Sequence, residues 1–132
     1  MVGAALLALC LSAGALEVKL PIRSFTLRWQ HSIEKTEWAE DYEIAGPWLL
    51  LSQARIRGSG AGMEPPADAV LIQGVWHYRP ADRWRRELLL ARSGFTPDHE
   101  LCFAGRCRPI SHWLPQDDGR QGATVLRACP KE

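Results

Sequence analysis

The 132-residue sequence predicts an all-β fold, mainly antiparallel, built as a compact β-sandwich or a partly open barrel. Three observations carry that prediction. Short runs of strand-type residues recur at close spacing, and several alternate apolar with polar. Eleven Gly and nine Pro punctuate them, as turns between short strands require. No stretch combines sustained helical periodicity with caps at both ends.

Taken in order, residues 2–16 (VGAALLALCLSAGAL) are apolar or small throughout. The run matches the h-region of a secretory signal, and Ala13-Gly14-Ala15 fits a small-x-small cleavage site. Residues 1–15 are expected to form a signal peptide cut between Ala15 and Leu16, with residues 16–132 as a single β-rich domain. The expected location is the periplasm. The alternatives are an uncleaved N-terminal segment that anchors the chain to the inner membrane, and an ordinary buried segment of the fold.

Strand-like runs follow at Glu17 to Ile22 and at Phe25 to Gln30, the second with clear alternation. Tyr42-Glu43-Ile44 leads into a turn at Gly46-Pro47. Trp48 to Leu51 is continuously apolar, whereas Ala54 to Arg57 alternates. Val70 to Ile72 and Val75 to Tyr78 form a pair around Gly74. Glu87 to Ala91 reads as a strand or a helical turn, and Phe103, Ile110 and Thr124 to Leu126 mark later short strands. Most of the six Trp lie on or beside these runs, where core packing is the plain reading and a sugar-stacking groove the sharper one.

Composition excludes some partners. A formal charge of +1 gives no global field for nucleic acid or anionic lipid. Arg79, Arg83, Arg85, Arg86 and Arg92 form a basic stretch, but Asp82 and Glu87 oppose it, so it reads as a solvated face. Cys102 and Cys107 flank a short Gly-containing loop and suit a disulfide across a narrow antiparallel pair, with Cys129 able to replace either. Zinc-ligand spacing and C-x-x-C are both absent, and no cofactor is implied.

Two segments carry candidate chemistry. In His31-Ser32-Ile33-Glu34, continued strand alternation would put Ser32 and Glu34 on one face, and a turn near Lys35-Thr36 would fold Glu40 back toward them. A His among carboxylates can hold a ligand, bind a metal or act as a base, but Ser32 lies outside any nucleophile elbow. In Gly58-Ser59-Gly60-Ala61-Gly62, alternate glycines allow close backbone approach to a partner or an anion. That loop is neither a dinucleotide-binding nor a P-loop motif. His77, His99 and His112 share no spacing and read as ordinary surface or packing residues.

FTLRWQHSIEKTEWAEDYEI, RGSGAGMEPP and LLLARSGFTPDHELCFAGRC, in this order, resemble the family known as domain of unknown function 1850. The resemblance spans roughly residues 24–129. It implies a small exported bacterial protein encoded beside tripartite ATP-independent periplasmic (TRAP) transporters of the TAXI type. It singles out His31, Ser32, Glu34, Glu40, Gly58, Gly60 and Gly62 as ligand- or partner-binding positions. The expected function is a non-enzymatic accessory that meets a transporter subunit or its solute, peripheral to the membrane at most. A stand-alone periplasmic small-ligand module is the alternative, and a metal-dependent hydrolase the third reading.

Overall fold

The computed structural model describes residues 7–30, 36–57, 65–92, 97–115 and 123–131. Twelve antiparallel strands lie among them: β1 (Leu7–Ala13), β2 (Leu16–Leu20), β3 (Ser24–Gln30), β4 (Glu37–Ala45), β5 (Trp48–Arg57), β6 (Val70–Ile72), β7 (Val75–Tyr78), β8 (Trp84–Arg85), β9 (Glu87–Ala91), β10 (Glu100–Phe103), β11 (Arg106–Pro109) and β12 (Ala123–Pro130). They form a four-stranded sheet in the order β2-β1-β12-β9. A larger sheet runs β11-β10-β3-β4-β5-β7-β6, with β8 beside β5. The core lies between the sheets. Leu9, Leu11 and Leu126 of the smaller sheet pack with Phe25, Leu27, Tyr42, Leu49, Leu51 and Leu101 of the larger. Each fully buried leucine contributes about 1.5–3 kcal/mol. The predicted all-β sandwich is the fold observed.

The first strand lies within the segment expected as a signal peptide. Leu7–Ala13 is an inner strand, paired with β12 on one side and β2 on the other. Leu9 and Leu11 enter the main core, while Ala8 and Cys10 are buried on the opposite face with Cys129. Burial on both faces accounts for the unbroken apolar run, which an inner strand shares with a signal h-region. Cys10 is bonded to Cys129, at a sequence separation of 119. A cut after Ala15 would remove the one partner of β2 and half of a disulfide.

Two local devices set the larger sheet. The β6–β7 and β10–β11 hairpins turn on Gln73-Gly74 and Ala104-Gly105, all four with positive φ (49°, 82°, 53° and 78°). Such turns match the strand twist, and glycine takes the second position without a Cβ penalty. In the β4–β5 pair the register shifts between Asp41 and Tyr42, leaving Ser52 as the extra residue. Ser52 Oγ donates to the Asp41 carbonyl at 3.1 Å. The bulge shifts the inward phase from Leu49 and Leu51 to Ala54 and Ile56. The two runs at 48–51 and 54–57 are therefore one strand.

Candidate binding surface on the eight-stranded sheet

Gln30, Glu37, Arg57 and Val75 pair in one row across β3, β4, β5 and β7. β3 ends and β4 begins in this row, and β5 ends in it. β3 and β5 thus end in the same row, each directly before one of the singled-out segments in sequence. His31, Ser32, Glu34, Gly58, Gly60 and Gly62 lie outside the described residues. Glu40, Cys102 and Cys107 are described.

On the core-facing side, the row next to this end is aromatic. Trp29, Trp38, Ile56 and Trp76 pair across four strands, with Trp29 and Trp38 stacked at 6.0 Å between ring centroids. The row below holds Leu27, Glu40, Ala54 and Tyr78. Tyr42 lies two residues further along β4 on the same side, and its hydroxyl donates to Glu40 Oε1 at 2.7 Å. Burial raises the Glu40 pKa, and the Tyr42 hydrogen bond and the Arg85 charge oppose that shift without cancelling it. Tyr42 and Tyr78 are pushed up as well, by burial first and then by the Glu40 charge. A half-buried carboxyl between two phenols and beneath an aromatic row is suited to accepting or sharing a hydrogen bond with a polar ligand. Among the described residues no group of three or more His, Cys, Asp and Glu could hold a metal ion.

The opposite side of the same strands is charged and ordered, a feature sequence reading missed. Arg28 Nη2 meets Glu100 Oε1 at 2.7 Å, and Arg55 Nη2 meets Asp41 Oδ1 at 2.6 Å. Thr26 Oγ1 donates to the same Asp41 oxygen at 2.6 Å. Arg57 pairs with Glu37 at 3.5 Å. Thr26, Arg28, Glu37, Arg55 and Arg57 border an open cleft of about 300 Å³ that also touches the Cys102–Cys107 disulfide. The disulfide pairing expected from sequence is present, and Cys129 pairs elsewhere. Alternation along β3 to β5 contains the signal for this face, since Arg28, Ala39 and Arg55 all fall opposite the core positions.

Arg92 departs from the solvated face expected of the basic stretch. It is 8% exposed, and its guanidinium is bound by Asp98 (3.1 and 3.3 Å), Thr124 Oγ1 (3.2 Å) and the Leu114 carbonyl (2.9 Å). Asp98 Oδ2 also accepts from the Ser111 amide at 2.8 Å. The network ties the end of β9 to β12 and to the 3₁₀ turn Ile110–His112. Nearby His99 packs against Trp29 at 5.6 Å. Burial lowers its pKa, and of the adjacent charges Asp98 opposes the shift while Arg92 adds to it.

The family model for a domain of unknown function, DUF1850, matches residues 25–110. That span begins in β3 and ends in the 3₁₀ turn after β11, so it contains the whole eight-stranded sheet apart from Ser24. No curated protein and no solved structure matches the chain.

Proposed function

The chain belongs to the DUF1850 family, and on that premise we propose that it is a non-enzymatic, exported binding protein that serves a TAXI-type TRAP solute transporter. The observation that carries this reading is the row Gln30–Glu37–Arg57–Val75. β3 and β5 both end in this row, each directly before one of the segments singled out by the family resemblance in sequence, and binding residues commonly follow the ends of scaffold strands. Beneath that end, Glu40 offers a carboxyl held by Tyr42 for contact with a solute or a transporter subunit. The two disulfides point to an oxidising environment, in keeping with export. No helix among the described residues is long and apolar enough to cross a membrane. A peripheral placement fits the proposal.

The test is affinity capture of the solubilised transporter subunits by the tagged full chain in non-reducing buffer. Retention of a transporter subunit that Glu40→Ala weakens is the expected result. No retention of any subunit, by wild type or variant, would overturn the transporter reading. The cleft bordered by Arg28 and Arg55 favours one second reading, a stand-alone module for a small ligand. In that case a small molecule raises the melting temperature of the isolated chain while transporter capture fails.

A further inference from the structure

We propose that the outer face of the eight-stranded sheet holds a binding site for a small oxyanion-bearing molecule, seated over Ala39 between the guanidinium groups of Arg28 and Arg55. The proposal rests on reading the chain as a binding protein, and it does not require the transporter.

The sheet register builds the site. Arg28, Ala39 and Arg55 form one row across β3, β4 and β5. Side chains in one such row project from the same face. Two strand spacings separate the arginine backbones by roughly 9–10 Å. A methyl group lies between two long cationic side chains, so the centre of the row is low and its sides are high. The result is the cleft of about 300 Å³, at the lower end of the size range for small-molecule sites. Val75 and the Cys102–Cys107 disulfide also line it, giving apolar surface beside the guanidinium groups.

Charge and hydrogen bonding identify the ligand class. Three carboxylates beside the cleft are each paired with an arginine: Glu100 with Arg28, Asp41 with Arg55, and Glu37 with Arg57. A metal cation would have to break those pairs. The arginines have spare capacity, because a guanidinium carries five N–H donors. Glu100 engages two nitrogens of Arg28, and Asp41 engages one nitrogen of Arg55. Arg55 Nε is buried and has no partner among the described residues. The donors of Arg55 beyond its single bond to Asp41 remain available to an oxyanion. The carboxylates meanwhile hold both planar forks in place before any ligand arrives, which favours bidentate recognition of carboxylate or phosphate.

Isothermal titration of the oxidised full chain with succinate, inorganic phosphate and uncharged succinamide tests this directly. At least one anion should bind and succinamide should not, with the stronger anion identifying the head group. Arg28→Gln, Arg55→Gln and Arg55→Lys should each weaken binding about tenfold or more, the last because lysine keeps the charge and loses the fork. Ala39→Leu fills the floor and should abolish binding while far-UV circular dichroism stays unchanged. Absence of binding by both anions would overturn the proposal, as would affinity that survives Arg55→Gln and Ala39→Leu. Anion binding with no transporter capture would leave this site standing and remove the transporter reading. Capture without anion binding would do the reverse.

Discussion

Glu40 sits where a carboxylate is least comfortable, on the core-facing side of β4 beside Leu27 and Ala54. Burial lifts its folded-state pKa above the ordinary 4.5 of the unfolded chain. The folded state therefore binds the proton more tightly. The resulting stabilisation is full below about pH 4.5 and is lost as pH rises through the raised value. Glu40→Gln keeps an acceptor for the Tyr42 hydroxyl and has no proton to lose. Its melting temperature should gain on wild type as pH is raised from 4 to 7; a constant difference would show that Glu40 does not titrate abnormally. Arg92 is the opposite case, a buried charge with every side of its fork engaged. Arg92→Met should cost about 3–5 kcal/mol in urea unfolding because it leaves Asp98 without its cation. Neither environment was legible in the sequence. Arg92 stands in a basic run that resembles a solvated face, and the surroundings of Glu40 depend on strands far along the chain (Leu101 of β10 flanks Leu27 in the same row). What the sequence did carry was the pairing of Cys102 with Cys107, since five residues around a tight turn leave few other geometries.

Among the elements, β3, β6, β7 and β12 were readable because alternation or turn residues bound them locally. β5 was readable only in halves. A bulge at Ser52 changes the phase of burial by one residue, and periodicity alone treats such a shift as a break. β1 was harder still, because a strand buried on both faces and a signal h-region are both unbroken apolar runs. Its partner β12 lies at the other end of the described chain, so no local pattern links the two. The disulfides measure this difference between elements. Cys10–Cys129 is buried and closes a span of 119 residues, whereas Cys102–Cys107 closes a span of 5. Loop-closure entropy grows with span, and a native disulfide in a small domain contributes about 2–5 kcal/mol. Replacing Cys10 and Cys129 together by serine should therefore lower stability by several kcal/mol, and the same change at Cys102 and Cys107 by much less. Denaturant titration of the two double variants checks the order. Equal losses would mean that β1 is not held in the sheet by its bridge.

At the scale of the whole molecule, two sheets enclose one core, and the larger sheet offers a different surface on each side. One side carries aromatics and a protonatable carboxyl near the row in which β3 and β5 end. The other carries three arginines, each oriented by a carboxylate. Fold class was legible because it rests on many independent strand and turn signals. The binding face was not, because it depends on which strands become neighbours. The near-neutral charge agrees with a surface whose charges are paired locally rather than summed into a long-range field. The central claim is that the protein serves solute transport, and uptake of labelled solute through the TAXI-type transporter tests it most directly. A strain lacking the chain should take up less solute, with uptake restored by wild type and not by Glu40→Ala. Uptake that is unchanged by the deletion would contradict the account.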